Sequence, residues 1–192
     1  MPFVPPQFDV PPGIETEAFC LEPLTVEHAE VDFAALMSSR ETLREWSGSD
    51  WPSDEFTLEE NRDDLERHDR EHRHREAFTF TVLAPDRERC LGCVYLTPLR
   101  WEAEANRNAL GEVGEDEAVV GFWVIDEQRR VALDRRLLAE LRTWLAGWPF
   151  ATVSFAAALA HRHQIGLFED AGLRPRAEIT VTGRTGVFRL YT

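Results

Sequence analysis

The chain has 192 residues, of which 43% are hydrophobic and 29% are charged, which is typical of a single globular domain. Its 35 acidic residues outnumber 21 Lys and Arg and give a formal charge of −14, which argues against a nucleic-acid partner because such binding depends on basic residues. No apolar stretch approaches the roughly 20 residues that span a bilayer, and no signal segment opens the chain, so we expect a cytoplasmic protein with no membrane partner and reduced cysteines.

The N-terminal segment is rich in proline, with five of the chain's 11 prolines before residue 14. It predicts an extended arm over residues 1–17 outside the core, followed by a single domain over residues 18–192. The apolar run 18–24 predicts a first strand, and Thr25 stands where a helix N-cap belongs. One face of the following helix is formed by Ala29, Phe33, Leu36 and Met37.

The polar stretch over residues 47–77 predicts a helix that lies mostly in water and is capped by Ser53 and Asp54 or by Thr57. Its histidines have a spacing compatible with zinc, but no carboxylate or cysteine group is clearly paired with them. We therefore interpret them as surface histidines: His68, His72 and His74.

Residues 78–84 and 90–99 predict an antiparallel hairpin, followed by a loop over residues 101–114. Cys90 and Cys93 form a lone C-x-x-C pattern. Because residues three apart on a strand point to opposite faces, we expect two buried thiols rather than a redox pair or a metal site.

The second half of the chain alternates strands and helices. It predicts a strand over residues 119–125, a strongly amphipathic helix over 133–145, a strand over 150–157, a short helix over 164–171 and a closing hairpin over 177–191. The element order β-α-α-β-β-β-α-β-α-β-β predicts an α/β fold with a central mixed sheet of six to seven strands and helices on both faces.

Three segments resemble the GNAT N-acetyltransferase superfamily, in the order expected for it. Residues 167–173, Leu-Phe-Glu-Asp-Ala-Gly-Leu, are similar to the late-helix pattern Leu-Tyr-Glu-Lys-x-Gly-Phe of that family. Residues 120–129 and the leucine-rich helix after them resemble its cofactor-binding unit, and residues 19–25 resemble its opening strand. The resemblance covers residues 18–192 and implies a GNAT acyltransferase fold in a divergent member.

The resemblance implies acetyl-CoA as co-substrate, with its pantetheine arm in a gap between the family's fourth and fifth strands. The backbone groups implied for that arm belong to Phe122, Trp123, Val124 and Ile125. The diphosphate is expected at the start of the next helix, where free N–H groups and the positive helix end attract phosphate. The residues there are Arg129, Arg130, Val131, Ala132, Leu133 and Asp134.

This turn departs from the family pattern, because Ala132 replaces a glycine and Asp134 replaces a small residue. A negative charge about 4 Å from a phosphate costs on the order of 1 kcal/mol in water and about 4 kcal/mol near a protein surface. Arg129 and the arginines around it offset that repulsion in one interpretation. In the other, the arginines form a solvated face and Asp134 is simply a helix cap.

For catalysis the resemblance implies a carboxylate base near the start of the fourth strand, and Glu117 is the candidate, with Glu115 and Asp116 as neighbours. Phe168 stands where the family commonly places a tyrosine that protonates the leaving thiolate, and a phenylalanine has no proton to donate. Trp46 and Trp51 flank the region that borders the acceptor pocket in this fold, so each either lines the pocket or packs in the core.

The first functional hypothesis is a GNAT-like N-acyltransferase that transfers an acetyl or other acyl group from acyl-CoA to an amine of a small molecule or peptide. The alternative is a catalytically silent protein of the same fold that binds a small ligand or oligomerises, for instance as a homodimer. Arg129 and the late-helix pattern favour the first hypothesis, whereas Asp134 and Phe168 favour the second.

Overall fold

The computed structural model describes residues 2–192, which fold around one mixed β-sheet of eight strands. The strands are β1 (Ile14–Glu15), β2 (Cys20–Pro23), β3 (Phe78–Leu83), β4 (Cys90–Pro98), β5 (Glu117–Val124), β6 (Thr152–Ala158), β7 (Pro175–Thr180) and β8 (Val187–Tyr191). Their order across the sheet is β1-β2-β3-β4-β5-β6-β8-β7. All neighbouring strands are antiparallel except β5 and β6, which confirms the predicted mixed sheet.

The helices are α1 (Ala29–Ser38), α2 (Arg40–Ser47), α3 (Leu58–Arg73), α4 (Arg107–Leu110), α5 (Asp126–Arg129), α6 (Leu133–Leu145) and α7 (Arg162–Asp170). The helices α2, α4 and α5 were not predicted. The start of α3 is fixed by a capping box, in which Thr57 Oγ1 accepts from Glu60 N at 3.2 Å and Glu60 Oε2 accepts from Thr57 N at 2.8 Å.

Helices cover both faces of the sheet, as predicted. The ring of Phe168 on α7 lies 5.9 Å from that of Phe122 on β5, so α7 packs on the face of the even-numbered residues of β5. The ring of Trp46 on α2 lies 5.6 Å from that of Tyr95 on β4, which pairs with Gly121. The helix α2 therefore packs on the opposite face, that of the odd-numbered residues.

The N-terminal segment was expected to lie outside the core, and in this respect the prediction was wrong. Phe3 and Val4 are buried in the main hydrophobic cluster, and the Phe3 ring stacks on Phe150 with centroids 4.7 Å apart. Residues 14 and 15 pair with β2 and supply the strand beyond the predicted seven. The prediction relied on the absence of a helical period. Apolar side chains between the prolines nevertheless gain free energy when they leave water and pack in the core.

The helix α3 was expected to lie mostly in water with surface histidines, but one of its faces packs against α1 and β3. This face repeats every three or four residues and consists of Asn61, Leu65, His68 and His72, of which Asn61 and Leu65 are 1% and 2% exposed. The His72 ring contacts Phe78 and Phe80 edge-on. Because most of the stripe is polar, hydrophobic periodicity does not reveal it.

Cys90 and Cys93 are buried free thiols, as the strand geometry predicted, and Cys20 is a third. Among residues 2–192, no helix has both the length and the apolar character needed to cross a membrane. Within the same residues, no group of three or more His, Cys, Asp and Glu side chains converges in a way that could hold a metal ion.

Candidate active site

The parallel strands β5 and β6 pair at one end of β5 and separate at the other. Their register runs from Glu117–Thr152 to Val120–Phe155 and stops there. Beyond this point β5 pairs only with β4, and β6 pairs only with β8. We call the gap that begins at Gly121 and Ala156 the wedge. It lies where the resemblance places the pantetheine arm.

The wedge is narrow and is bridged by one side chain. Gln164 Nε2 on α7 donates a 2.8 Å hydrogen bond to the main-chain oxygen of Phe122. The space left beside this bond measures about 20 Å³, enough for about one water molecule. Because successive residues of a strand direct their polar groups to alternate sides, and Ile125 N bonds to Leu91 O on the β4 side, the main-chain groups of Phe122 and Val124 face the wedge.

His161, at the start of α7, also borders the wedge. Since Gln164 Nε2 faces the Phe122 oxygen, Gln164 Oε1 faces His161 Nδ1, at 3.4 Å. This arrangement assigns the ring proton to Nδ1 and a lone pair to Nε2, which is buried and has no hydrogen-bond partner. Burial, aided by the nearby Arg129 charge, lowers the pKa of His161 to about 4, so the ring is neutral at physiological pH.

The turn between α5 and α6 is where the sequence predicted a diphosphate. Ala132 has a φ of +61°, in the left-handed region that the family glycine adopts without strain, and alanine pays about 1–2 kcal/mol for it. Arg129 donates from Nη1 to Asp126 Oδ1 at 3.0 Å, while its Nε is buried without a partner. Arg130 and Val131 are exposed, and Leu133 is buried.

Asp134 does not project into solvent at this helix start. It is 5% exposed, and its Oδ2 lies 2.5 Å from His163 Nε2 on α7. Its Oδ1 accepts from Arg135 N at 2.9 Å. The carboxylate of Asp134 is therefore held by His163 and Arg135 N, partners that the sequence did not indicate.

A larger cavity, of about 490 Å³, lies on the face of the sheet formed by the odd-numbered residues of β5, where α2 packs. Its floor includes Gly121 and Ala156, the residues at which the wedge begins, so the two spaces meet at this point. The helix α3 and the turn between β7 and β8 also contribute to its walls. Trp46 and Trp51 both line it, and other aromatic residues on its walls are Tyr95, Trp101 and Phe188.

One end of the large cavity is acidic. Asp64 and Glu71 of α3 line it, and both bond to Arg67, at 3.0 and 3.3 Å. Burial raises the pKa of Glu71, but the hydrogen bond with His68 and the charge of Arg67 outweigh this effect and leave the pKa below its usual value. Two carboxylates therefore face the cavity beside one guanidinium, and this end attracts cations.

Tyr95 lies where the wedge opens into the large cavity, because it pairs across the sheet with Gly121. Trp123 Nε1 donates to its hydroxyl oxygen at 3.2 Å, and the Cys93 thiol is within hydrogen-bonding reach of the same hydroxyl. The pKa of Tyr95 is raised well above its usual value, mainly by burial and to a smaller extent by the nearby Cys93 and Asp32. The phenol therefore keeps its proton at neutral pH.

Glu117, the predicted base, is held at the paired end of β5. Its Oε2 lies 2.6 Å from Arg176 Nη2, and its Oε1 accepts from Gly114 N at 2.8 Å. Burial raises the pKa of this carboxyl, but the bonds to Gly114 and Arg176 outweigh it and lower the pKa overall. Glu117 is not among the residues that line the large cavity, and its role as base stays a prediction.

Phe168 is fully buried behind the wedge. Its ring contacts Phe122 on β5 and Phe155 on β6, with centroids 5.9 and 5.8 Å apart, and packs edge-on against Tyr191. It therefore supports the floor of the wedge on both strands. The sequence identified this position, but it gave no sign of Tyr95, Glu71 or His68 as cavity residues, since they carry no recognisable motif.

No protein-family model and no curated protein sequence matches the chain. Comparison with solved structures does find similar folds. One is a ribosomal-protein-S5-alanine acetyltransferase from Vibrio fischeri, with a TM-score of 0.70, 17% identity and coverage of 95% of both chains. Another is RimL, a ribosomal L7/L12 alpha-N-protein acetyltransferase, with a TM-score of 0.70, 13% identity and coverage of 93% of this chain and 92% of that one.

A third is the microcin C7 self-immunity acetyltransferase MccE in complex with acetyl-CoA and AMP, with a TM-score of 0.69, 11% identity and coverage of 95% of this chain and 96% of that one. These matches span almost the whole chain at low identity, and they agree with the resemblance seen in three short sequence segments. The chain therefore has the fold of the GNAT acetyltransferases, at 11–17% sequence identity to these three structures.

Proposed function

We propose that the protein is an N-acyltransferase that uses acetyl-CoA or a related acyl-CoA to modify an amine bound in the large cavity. The observation that carries this proposal is the junction at Gly121 and Ala156, where the wedge between β5 and β6 opens into a cavity of about 490 Å³. A thioester in the wedge and an amine in the cavity would meet there. The solved neighbours with acetyl-CoA and CoA bound support the same use of the fold.

The residues of the wedge fit acyl-CoA in their chemistry. Arg129 Nε is buried without a partner, and the N–H groups of Leu133 and Asp134 begin a helix where no preceding turn accepts them. Together they suit a diphosphate, and the main-chain groups of Phe122 and Val124 suit the pantetheine amides. Entry requires Gln164 to release the Phe122 oxygen, a side-chain change of the kind that binding commonly produces.

Acyl-CoA, when bound, supplies a thioester carbonyl that an amine can attack. Within the chain, Tyr95 holds a phenolic proton at the junction and is the group we assign to protonate the leaving thiolate, in place of the tyrosine absent at position 168. The acidic end of the cavity, with Asp64 and Glu71, attracts the ammonium form of the acceptor. Glu71, a carboxylate on the cavity wall, is the group we assign to take the ammonium proton, directly or through water.

A second candidate function is the binding of a small ligand without transfer. The observation that favours it is the small volume of the wedge, about 20 Å³, together with the Gln164 bond that closes it. In that case the large cavity would be the only binding site in use, and acyl-CoA would not stabilise the protein.

Thermal unfolding with acetyl-CoA separates the two functions. A ligand at 100 times its dissociation constant adds about 2.7 kcal/mol of stability. For a chain of this size that corresponds to a rise in Tm of about 5–10 °C. We expect this rise with the wild type and with Arg107→Ala, an exposed position on α4 that lines neither the wedge nor the cavity, and its loss with Arg129→Ala. No rise at millimolar acetyl-CoA would refute the transferase.

The role of Tyr95 is tested by Tyr95→Phe, which keeps the ring and removes the proton. We expect the variant to retain the stabilisation by acetyl-CoA and to lose about 100-fold in kcat, the lower end of the usual contribution of general acid catalysis. Turnover is measured as free thiol released with a panel of primary amines. An unchanged kcat would remove Tyr95 from the mechanism without affecting the cofactor site.

A further inference from the structure

The turn between β7 and β8 carries an arginine into the large cavity. This turn is fixed to the loop after α2, because Gly186 N and Thr185 Oγ1 both donate to Gly48 O, at 2.9 Å each. Gly48 has a φ of +61°, and its Cα lies 3.0 Å from where a Cβ on Gly186 would stand, so the two segments touch through their backbones. The hairpin is thereby held over the cavity with Arg184 on its wall.

The guanidinium of Arg184 lies between two aromatic rings. Its Cζ is 5.1 Å from the centroid of Trp46 and 5.4 Å from that of Phe188, a cation–π arrangement on both sides. Of its five N–H donors, one is used, in a long 3.4 Å bond from Nη1 to Ser47 O. The rings fix the plane of the guanidinium and leave the other donors free to bind a ligand in the cavity.

This cation has no counterion in contact. Among residues 2–192, no carboxylate lies within the 4.0 Å ion-pair distance of Arg184. The acid on the cavity wall whose charge acts on Arg184 is Glu102, but its Oε2 accepts from Thr182 N and Thr182 Oγ1, at 3.0 and 3.1 Å. A partly desolvated charge without a partner is costly, and such an arrangement is typical of a site whose partner arrives with the ligand.

We propose that Arg184 binds a carboxylate of the acceptor, so that the acceptor is an amine that also carries a carboxylate, as in an amino acid or a short peptide. This inference rests on the proposed function, since it names the substrate class for the same cavity. A planar guanidinium pairs with a carboxylate through two parallel hydrogen bonds. The acidic end formed by Asp64 and Glu71 suits the ammonium group, and the tryptophans that line the same cavity suit an apolar side chain.

The test compares acceptors that differ only in the carboxylate. The probes are phenylalanine, tyrosine and tryptophan, each paired with its decarboxylated amine: phenethylamine, tyramine and tryptamine. Binding is measured by calorimetry, and transfer by thiol release with acetyl-CoA. We expect the amino acid of at least one pair to bind about tenfold more tightly than its amine, at the lower end for a hydrogen bond to a charged group.

Variants assign this preference to a residue. Arg184→Gln removes the charge and is expected to make the two members of each pair bind equally, while Arg184→Lys, which lacks the planar fork, retains part of the preference. The control is Arg189→Gln on the same hairpin, because Arg189 pairs with Glu178 and does not line the cavity. It should retain the full preference. Thermal unfolding without ligand verifies that each variant is folded.

The outcomes separate this inference from the proposed function. Equal binding within every pair by the wild type, no binding of any probe, or a preference that survives Arg184→Gln would overturn the carboxylate site. If Arg184-dependent binding of the amino acids appears while acetyl-CoA neither binds nor reacts, the transferase fails and the carboxylate site stands. Phenyl phosphate and phenylacetate form a further arm, in which Arg184-dependent preference for phenyl phosphate would assign the site to phosphate and refute a carboxylate.

Discussion

The two edges of β5 are built in opposite ways. Toward β4 the strand is paired at every residue but its first, from Ala118–Pro98 to Val124–Gly92. Toward β6 the pairing stops at Val120–Phe155, and half of the strand has no strand partner on that side. A sheet gains stability from continuous pairing, so an edge left open inside it indicates a place that serves binding rather than stability.

Buried polar groups lie on both sides of β5. Near β4, Asn61 Nδ2 donates to Asp32 Oδ2 at 3.1 Å and to Ala29 O, and Cys90 Sγ lies 3.9 Å from Asp32 Oδ1. Around the wedge, Arg129 Nε and His161 Nε2 are buried without partners. Unpartnered buried nitrogens also occur beside β3, on His72, Trp144 and Trp148, so these atoms do not by themselves distinguish the two edges. Buried polar groups are usually hydrogen-bonded, and Arg129 Nε and His161 Nε2 are the ones that lie where a ligand is expected.

The largest expected effect comes from breaking the paired edge at Gly92. A Cβ on Gly92 would stand 2.1 Å from Trp123 O, a main-chain atom that cannot turn away. Gly92→Ala should therefore force β4 and β5 apart and lower the free energy of unfolding by at least about 3 kcal/mol, the upper part of the range for overpacking. Urea denaturation measures this loss.

The matched control is Gly121→Ala on β5, at the start of the open edge. Its Cβ would meet Trp46 Cζ2 at 3.5 Å, an ordinary contact, so we expect its stability to stay close to that of the wild type. It would, however, narrow the junction of the wedge and the cavity. Equal stability losses in the two variants would contradict the difference between the edges.

The next effect concerns the buried carboxyl on the paired side. Burial, only partly opposed by hydrogen bonds from Asn61 and Cys90, raises the pKa of Asp32 from 3.8 to about 6. A raised pKa means that the folded state holds the proton more tightly, so this stability is present below about pH 4 and is lost as the pH rises through 6. The full loss corresponds to about 3 kcal/mol.

Asp32→Asn keeps an oxygen that can accept from Asn61 and removes the ionisation. At pH 8 the variant should be more stable than the wild type, by an amount that approaches about 3 kcal/mol and shrinks as the pH falls to 5. Urea denaturation across this range measures the difference. Asp63→Asn, at an exposed position on α3, should show no such pH dependence, and a pH-independent difference for Asp32→Asn would show that the carboxyl is already ionised at low pH.

The sequence predicted the strands and helices that carry regular apolar patterns, and the resemblance placed the wedge, because β5, α6 and α7 retain recognisable residues. It did not predict the buried face of α3. Asn61, His68 and His72 are polar residues, and a buried polar stripe has the same composition as a solvated one. Phe3 and Val4 were missed for a related reason, since burial of an irregular segment leaves no period.

The side-chain pairs at the site could not be predicted from the sequence, because they join residues that are far apart along the chain. Asp134 and His163 are 29 positions apart, and Arg184 and Ser47 are 137 positions apart. Nothing in the neighbours of either residue indicates its partner. Arg184 lies in a turn of polar residues and glycine, where an arginine is normally solvated, and only the bonds from the hairpin to Gly48 bring it over Trp46.

The smallest expected effect is on the affinity for acetyl-CoA at the open edge of β5. If acyl-CoA binds along β5, it must replace the Gln164 bond to Phe122 O, whose net contribution is about 0.5–1.5 kcal/mol. Gln164→Ala removes this competition and opens space, so acetyl-CoA should bind about threefold to tenfold more tightly, while the free protein loses about 1 kcal/mol of stability. Calorimetric titration measures the affinity. Gln164→Met also removes the donor but fills the same space, so an equal gain in both variants would assign the effect to the lost bond, and a gain in Gln164→Ala alone would assign it to the opened space. Unchanged affinity in Gln164→Ala would mean that the cofactor does not pass Phe122, and the edge left open by β6 would then need another occupant.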